Sequence, residues 1–364
     1  MKVLALEPFY SGSHRQFLDG WASRSQHQWT VLGLPGNKWK WRMRHAPLSF
    51  ANDVNRRVAL GEQWDVIFCS DMLNLGEFLA LTPRSTRNLP SVVYFHENQF
   101  TYPNRTDSER DFHYAFTNYV TALTANEVWF NSSFHREDFL GALESFLRRM
   151  PDNRDLQNVA AIRDKSKVHY PGVCIPPLER SGSGRDATIL WVSRWEHDKN
   201  AKDFFDALRL LVKDRIDFRI NVLGESYGEA PPVFDQAKAE FADRIEHWGY
   251  VHDRNEYFKV LSESDFVVST AIHEFFGIAV VEAMSSGAYP ILPNRLSYPE
   301  LLARSQDSLR KHLYTETVFD LHQLLADSIS QNRVWDVTSL NRFRWLERVP
   351  SMDADLEAVA IRAT

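Results

Sequence analysis

Short apolar segments recur along the chain, and each is followed by a few polar residues and then by a segment with helical spacing. This order is typical of the strand, loop and helix units of a doubly wound parallel sheet, in which ligands collect at the carboxyl ends of the strands. The series occurs in both halves, so we predict an α/β protein with two Rossmann-like domains. The predicted strands are 3–7, 30–34, 64–70, 91–95 and 128–131 in the first half, and 188–192, 219–223, 245–250, 265–269 and 287–293 in the second.

One segment of the second half carries two carboxylates around a glycine and an apolar run. Gly277 can adopt backbone angles that other residues avoid, which suits a turn against a ligand. Ile278 to Ser285 is predicted to form a buried helix. Eight helical residues rise about 12 Å, so Glu274 before the helix and Glu282 within it can hold two ends of one elongated polar ligand. Free amides at the helix start favour a phosphate between them, as a nucleotide-sugar would provide. A core helix with two solvated or paired glutamates is the alternative.

The composition of the whole chain narrows the class of function. Its 364 residues, 44% of them hydrophobic, suffice for two domains with separate cores. A net charge of −6 excludes a general polyanion-binding protein, so any contact with nucleic acid needs a local patch. Cys69 and Cys174 show neither metal-site spacing nor a disulfide framework. Because we find no signal-peptide pattern and no membrane-spanning run, we expect a cytoplasmic protein with no stable membrane association.

The spacing Glu-x7-Glu, with Phe-Gly after the first glutamate and Ala-Met after the second, resembles glycosyltransferase family four. The resemblance implies a retaining, metal-independent enzyme of the GT-B fold, in which two Rossmann-like doubly wound domains face each other across a cleft. It also implies that Glu274 contacts the donor hexose and that Glu282 contacts the ribose. The same donor site would include Phe275, Phe276, Gly277 and Ile278.

No metal ion and no cofactor are expected in such an enzyme. The triplet Asp353-Ala354-Asp355 does fit the Asp-x-Asp signature of metal-dependent transferases. It lies in a polar tail with no strand before it, and we interpret the match as a coincidence.

A loop of the second half supplies candidates for binding the diphosphate of the donor. Arg194 and Lys199 lie five residues apart between a predicted strand and a helix, where a guanidinium fork and a movable ammonium can converge on one diphosphate. A metal-independent transferase needs such cations, because the leaving nucleoside diphosphate is charged. A surface salt bridge with Glu196 or Asp198 is the alternative for this pair. Two further strand ends supply the remaining donor candidates, which are Gly224, Glu225, Tyr250 and Val251.

Polar residues also follow three of the predicted strands in the first half, at positions that face the ligand crevice in this architecture. His96 is the catalytic candidate, since it can donate to a phosphate or to a sugar hydroxyl. The resemblance places the loop with Gly12, Ser13 and His14 near the donor phosphates and the acceptor. A tight turn and a structural histidine are the alternatives. The acceptor candidates are His14, Glu97, Asn98, Asn131 and Ser132.

The most unusual local composition lies between residues 38 and 44, where cations alternate with tryptophans in an otherwise acidic protein. Cations neutralise phosphates, and Trp or Arg planes stack on unpaired bases. A solvated face with both tryptophans packed inward in a strand pattern is the alternative. The RNA-binding candidates are Lys38, Trp39, Lys40, Trp41, Arg42 and Arg44.

Longer motifs extend the resemblance over essentially the whole chain. Tyr10-Ser-Gly-Ser-His-Arg, Lys38-Trp-Lys-Trp-Arg, Tyr94-Phe-His-Glu-Asn-Gln and Phe130-Asn-Ser-Ser-Phe-His-Arg are similar to the tRNA-queuosine α-mannosyltransferase family. That family moves mannose from GDP-mannose to queuosine, the modified wobble base of an aspartate tRNA, and the resemblance implies these partners here. The alternatives are a transferase with another acceptor, such as a lipid, a polysaccharide or a small molecule, and a sugar-nucleotide or RNA-binding module without turnover.

The GT-B resemblance also implies an order of domains. Residues 1–172 would form the acceptor-side domain and residues 173–349 the donor domain, and a helix within 350–364 would dock back onto the first. A stretch rich in Pro, Ser and Gly up to Asp186 is the predicted linker between the domains.

Overall fold

The structure is a computed structural model, and it describes residues 1–103, 111–174, 186–226, 231–302, 309–315 and 317–362. The chain divides into two compact units, one formed by Met1–Gly172 with Trp345–Thr364 and the other by Val173–Arg344. The sequence placed the second boundary after residue 349, whereas the returning helix begins at Trp345 and runs through Pro350. Most of the predicted linker, residues 175–185, lies outside the described residues.

The first unit contains a six-stranded parallel sheet in the order β2-β1-β3-β4-β5-β6. Its strands are β1 Lys2–Tyr10, β2 Gln28–Pro35, β3 Val66–Ser70, β4 Ser91–Phe95, β5 Glu127–Phe130 and β6 Ser166–Val168. The helices between them are α1 Gly12–Ala22, α2 Trp39–Ala59, α3 Leu75–Leu81, α4 Arg84–Arg87, α5 Phe112–Thr124, α6 Ser133–Arg148 and α7 Gln157–Asp164.

The second unit repeats this architecture with a parallel sheet in the order β12-β11-β10-β7-β8-β9. Its strands are β7 Ala187–Val192, β8 Phe218–Leu223, β9 Ile245–Gly249, β10 Phe266–Val268, β11 Tyr289–Pro293 and β12 Leu313–Tyr314. Its helices are α8 Ala201–Lys213, α9 Val233–Glu240, α10 Arg254–Glu263, α11 Ile278–Ser285, α12 Tyr298–Leu302 and α13 Val318–Ser330, with 3-10 turns at His197–Lys199 and Val337–Phe343. The prediction of two doubly wound α/β units is confirmed.

Helices cover both faces of the first sheet, because alternate residues of a strand point to opposite sides. Val3 and Ala5 of β1 belong to one buried cluster, which includes Phe17 of α1. Leu4 and Leu6 belong to a second cluster, on the face covered by α2. Since both faces are buried, the strands appear in the sequence as continuous apolar runs rather than as alternating ones.

The last helix, α14 (Trp345–Arg362), completes the core of the first unit. Its buried apolar side chains recur every three or four residues, as expected for a helix that packs along one face. They join the cluster that holds Val3 and Ala5, and they are Trp345, Val349, Met352, Leu356 and Val359. Among the described residues, no helix has both the length and the apolar character that crossing a membrane requires.

Both aspartates of the Asp-x-Asp triplet hold α14 in place. The Asp353 side chain is buried and accepts a hydrogen bond from Trp21 Nε1 at 2.7 Å. Asp355 lies 2.7 Å from Lys167 Nζ and 3.0 Å from His169 Nε2. These contacts give the triplet a structural explanation within the first unit.

Candidate active site

In the second unit, Lys199 lies buried at the end of the 3-10 turn that follows β7, against two carboxylates. Its Nζ donates to the carbonyl of His273 at 2.7 Å, and it lies 3.0 Å from Asp198 Oδ2 and 3.4 Å from Glu274 Oε2. Burial lowers the pKa of Lys199, but the charges of Glu274 and Asp198 outweigh it and raise the pKa above its ordinary value. Burial raises the pKa of Glu274, but the Lys199 charge and other neighbours hold it below its ordinary value. Lys199 and Glu274 are therefore both charged at neutral pH.

Arg194 precedes Lys199 on the same loop, and its side chain is 45% exposed. The guanidinium lies 3.4 Å from Glu196 Oε1, which is the surface pair considered as the alternative interpretation. The charge of Arg194 also acts on Lys199, whose pKa it lowers, so the two cations share one neighbourhood. An exposed ion pair contributes little to stability, so a phosphate can replace Glu196 as the partner of Arg194 at small cost.

The turn before α11 has the left-handed backbone conformation that the presence of Gly277 predicted. Gly277 has a φ of +86° and is the N-cap of the helix Ile278–Ser285, whose predicted bounds are confirmed. A Cβ at Gly277 would lie 3.3 Å from the Tyr298 ring, so a side chain there would be both strained and crowded. Glu274 Oε1 accepts from the amide of Phe275 at 3.1 Å. Phe275 and Phe276 are buried, and the amide of Phe276 also donates to Glu274 Oε1, at 3.4 Å.

Glu282 lies within α11 and is buried, although it carries a carboxylate. Arg254 Nη2 donates to its Oε1 at 2.6 Å, and the Tyr257 hydroxyl donates to its Oε2 at 3.0 Å. Burial and the Glu282 charge raise the pKa of Tyr257 well above its ordinary value, which keeps this hydroxyl protonated as a donor. The alternative of a paired core glutamate therefore holds in part. Sequence reasoning missed Arg254 and Tyr257, since no local pattern marks partners 28 and 25 residues away.

The remaining donor candidates lie at the carboxyl ends of β8 and β9. Gly224 has no room for a side chain, because a Cβ there would lie 1.8 Å from the Ser193 carbonyl oxygen. Its neighbour Glu225 accepts from the amide of Trp195 through its carbonyl at 3.0 Å. Tyr250 is 54% exposed, with its ring edge-on to His252, and Val251 next to it is partly buried.

In the first unit, α1 begins at Gly12, three residues before the predicted start near Arg15. Gly12 has a φ of +51°, which brings the chain from the extended Ser11 directly into the helix. Ser13 and His14 therefore lie in the first turn of the helix rather than in a loop. Ser13 is exposed, whereas His14 is buried.

His96 follows β4 directly, and both of its backbone polar groups are engaged. Its amide donates to Asp71 Oδ1 at 2.9 Å, and its carbonyl accepts from Asn131 Nδ2 at 2.9 Å. Its ring stacks on the ring of His14 with 4.0 Å between centroids. The structure thus brings together two predicted residues from different segments of the chain.

The other acceptor candidates shape the loops at the ends of β4 and β5. Asn98 is buried, and its side chain accepts from the amide of Phe100 at 3.0 Å. Ser132 caps α6 by accepting from the amide of His135 at 2.9 Å. Glu97 Oε1 accepts from the Gln99 side chain at 3.0 Å. Within the first unit these side chains position the loops around His96.

The segment rich in cations and tryptophan forms the first turns of α2 instead of a strand. Lys38 is its N-cap with a φ of +52°, and the helix runs on from Trp39. Trp39 packs against Tyr114, with 5.2 Å between ring centroids, while Trp41 remains 55% exposed beside His45. The strand pattern considered as the alternative is therefore wrong. Lys38, Lys40 and Arg44 are exposed, and Arg42 is half-buried.

Comparisons with known proteins agree with this architecture. Residues 2–173 match the family model described as tRNA-queuosine alpha-mannosyltransferase N-terminal, and residues 179–330 match that described as glycosyl transferases group 1. A tRNA-queuosine alpha-mannosyltransferase of Drosophila melanogaster is 36% identical over 329 residues, 86% of each chain. A GDP-mannose:cellobiosyl-diphosphopolyprenol alpha-mannosyltransferase of Xanthomonas oryzae is 26% identical over 165 residues, 43% of each chain. The structure of HepE of Anabaena with UDP and glucose has a TM-score of 0.66 at 15% identity, covering 98% of this chain and 100% of that one.

Two parallel six-stranded sheets, shared with solved glycosyltransferases, give this chain the GT-B fold. The second unit carries the cations and carboxylates expected at a donor site. At 36% identity over most of its length, the chain belongs to the tRNA-queuosine alpha-mannosyltransferase family. The resemblance read from the sequence is confirmed.

Proposed function

We propose that this enzyme transfers mannose from GDP-mannose to queuosine in an aspartate tRNA, with retention of anomeric configuration. The acceptor assignment is carried by the Drosophila relative, whose 36% identity extends over 86% of the chain. Similarity to the mannosyltransferase that acts on a polyprenol-linked acceptor is confined to 43% of the chain. GDP-mannose, the donor in the name of that relative, supports the choice of the same donor here. A tRNA acceptor also favours a location in the cytoplasm.

In the proposed donor complex, Lys199 and Arg194 hold the diphosphate. The Lys199–Glu274 contact of 3.4 Å is longer than the distance of about 2.8 Å at which an ammonium donates to a carboxylate. A phosphate oxygen can therefore replace Glu274 as the acceptor for Lys199. Glu274 is then free to accept hydroxyl hydrogens from the hexose, while its second oxygen keeps the amides of the turn.

Glu282 is the proposed ribose ligand, and Arg254 and Tyr257 fix its orientation. Both oxygens already accept one donor each. A carboxylate accepts hydrogen bonds and the hydroxyls of a ribose donate them, so the two groups match in chemistry.

The transfer step exchanges one bond at the anomeric carbon for another on the same face. The bond from mannose C1 to the β-phosphate oxygen breaks as the bond to the queuosine hydroxyl oxygen forms. The hydroxyl proton passes to the leaving phosphate oxygen, and GDP is released. Positive charge on Lys199 and Arg194 stabilises the leaving group, and His96 contributes a hydrogen bond at the reacting sugar.

The exposed side chains at the start of α2 are proposed to bind the tRNA. Lys38, Lys40 and Arg44 can neutralise phosphates. The exposed ring of Trp41, beside His45, offers a face on which an unpaired base can stack.

Nucleoside mass spectrometry tests this function directly. After incubation with GDP-mannose, queuosine-containing tRNA should show a hexose mass increment on queuosine that is absent from the same tRNA lacking queuosine. Chelator should not abolish the product, since we propose no metal in the reaction. Replacing Glu274 with Gln should suppress the product without unfolding the protein. A hexose on another nucleoside, or no product with any nucleotide-sugar, would contradict the proposal.

A further inference from the structure

Three polar side chains meet within the first unit at the carboxyl ends of β1 and β4. Glu7 closes the apolar part of β1 and is buried, although nothing in the sequence pattern marked it as functional. His14 comes from the first turn of α1, and His96 follows β4. They bring a carboxylate and two imidazoles together from three segments of the chain.

Glu7 fixes the position of His14. Glu7 Oε1 accepts from the amide of Phe9 at 2.9 Å and from the hydroxyl of Ser70 at 2.9 Å, so its carboxylate cannot rotate freely. His14 Nδ1 lies 3.2 Å from the same oxygen. The Phe9 ring also stands edge-on to His14, with 5.9 Å between centroids. The imidazole of His14 is thus held at one edge by charge and at another by an aromatic ring.

The His14 ring, fixed by Glu7, packs against one face of the His96 ring. The two rings are stacked, with centroids 4.0 Å apart and planes inclined by 28°. Phe17 and Tyr94 meet the His96 ring edge-on at 5.2 and 4.7 Å. The His96 backbone is bonded on both sides, and His14 is the ring that stacks on the face of the imidazole, whereas Phe17 and Tyr94 meet it edge-on.

The charges around the stack differ for its two members. Burial lowers the pKa of His14, but the carboxylate of Glu7 outweighs it, with smaller contributions from Asp71 and Glu97, and raises the pKa to about 9. Burial and the positive charge of His14, with a smaller contribution from His135 in α6, hold the pKa of His96 well below its ordinary value. At neutral pH His14 is therefore protonated and positively charged, whereas His96 is neutral.

A metal ion is a second use for these side chains, since their ligand atoms lie within 4.8 Å of one another. An ion bound to two imidazoles must lie close to both ring planes, along a nitrogen lone pair of each ring. Stacked rings do not direct their lone pairs to one point, and Glu7 Oε1 already accepts two hydrogen bonds. The geometry favours a charged pair over a metal centre.

We propose that His14, held by Glu7, is a positioning residue that sets the orientation of the His96 ring for glycosyl transfer. The proposal rests on the role suggested above for His96. A neutral imidazole offers one N–H donor and one lone pair, whereas an imidazolium offers two donors and no acceptor. The positive charge of the stacked His14 ring keeps the His96 imidazole neutral. His96 can therefore accept as well as donate a hydrogen bond at the sugar or the acceptor hydroxyl.

Two substitutions separate the charge of His14 from its shape. E7Q keeps the hydrogen bonds from Phe9 and Ser70 but removes the negative charge, and H14F keeps a ring in the stack without a charge. The control is H27N, which removes another buried histidine of the first unit, one that pairs with Glu357 away from this stack. The primary measurement is the pH titration of each ring by NMR of histidine-labelled protein, which requires no substrate.

In the wild-type protein, the His14 ring should stay protonated to about pH 9, and the His96 ring should stay neutral well below the ordinary imidazole value. In E7Q and H14F the titration of His96 should move up towards about 6.5, and H27N should leave it in place. The acid limb of the kcat/KM profile should move in the same direction. We expect kcat to fall about 10–100-fold with little change in the donor KM, because orientation is lost rather than binding.

An unchanged His96 titration in E7Q would overturn the assignment of His14, whatever the activity. If H14F and E7Q do not fold, the wild-type titrations alone decide, because the proposal requires two rings displaced in opposite directions. Stoichiometric retention of Zn²⁺ by the wild-type protein, lost in H14F, would also overturn it in favour of a metal site. Failure of the proposed function is distinguishable, because the mannose product would then be missing while the ring titrations behaved as described.

Discussion

The buried ion pair of Lys199 with Asp198 makes Lys199→Met the most informative single change in the second unit. The side chains of Lys199 and Asp198 are 6% and 3% exposed, so water screens their interaction very little. Methionine is unbranched and only one atom shorter than lysine, and it removes the charge. The substitution therefore leaves the Asp198 carboxylate buried without the cation that compensates it.

Breaking a buried pair from one side costs about 3–5 kcal/mol, since the remaining charge has lost its partner. We expect Lys199→Met to lower the free energy of unfolding by about that amount. The second substitution Asp198→Asn should recover part of this loss, because it removes the more deeply buried of the two carboxylates that lose the Lys199 charge; Glu274, the other, is 26% exposed. The control Lys202→Met, at an exposed position of α8, removes a pair with Asp206 and should leave the free energy of unfolding nearly unchanged.

Activity should separate from stability in this series. The double variant Asp198→Asn with Lys199→Met should fold but transfer hexose with a kcat about 10²–10³-fold lower, since it lacks a cation for the leaving diphosphate. Urea denaturation measures the free energy of unfolding, and nucleoside mass spectrometry under single-turnover conditions measures the rate of hexose transfer. A Lys199→Met protein as stable as the wild type, or an active double variant, would refute the reasoning.

Three further results are expected. Tyr257→Phe removes one hydrogen bond to the Glu282 carboxylate and should weaken GDP-mannose binding about tenfold by calorimetry; unchanged affinity would exclude the positioning of Glu282 by this hydroxyl. Replacing the exposed cations Lys38, Lys40 and Arg44 with alanine should make tRNA binding less sensitive to salt. The slope of the logarithm of the tRNA binding constant against the logarithm of salt concentration should fall in magnitude by about 2–3, and an unaltered slope would show that the tRNA binds elsewhere. The hydrogen bonds of His169 and Lys167 hold the pKa of Asp355 well below its ordinary 3.8, so its stabilising contribution is present above that pH and is lost as the pH falls below it. Asp355→Asn should remove this part of the acid dependence in denaturation curves, and curves parallel to the wild type would count against it.

Ten of the twelve strands in the described part of the chain could be predicted from the sequence, because most of them are buried on both faces and form short apolar runs. The strands β6 (Ser166–Val168) and β12 (Leu313–Tyr314) were missed, since they are only three and two residues long. The start of α2 could not be predicted either, for a physical reason. Its N-cap is Lys38 in a left-handed conformation with no side-chain cap, so the usual Ser, Thr, Asp or Asn signal is missing. The alternation of Lys and Trp in this segment also imitates the period of a strand.

Site residues that lie close together in the sequence could be predicted, whereas pairs formed by residues far apart in the sequence could not. Glu274, Gly277 and Glu282 lie within nine residues, so their spacing indicates a ligand site. The pairing of Glu282 with Arg254 and Tyr257, and that of Glu7 with His14, arises only when separate elements pack together. Glu7 lies within β1, and no pattern in the sequence marked it as the partner of His14.

The return of α14 to the first sheet makes the second unit an insertion within the first. The chain leaves at Gly172 and comes back at Trp345, and the flanking residues Val173 and Arg344 form a parallel bridge. The ends of the inserted segment are therefore adjacent. Residues 173–344 can be expressed as one continuous piece, whereas stopping the chain at 172 would strip one hydrophobic face of the first sheet and leave an aggregation-prone fragment. A useful minimal version of the first unit is instead a fusion of residues 1–172 to residues 345–364 through a short flexible linker.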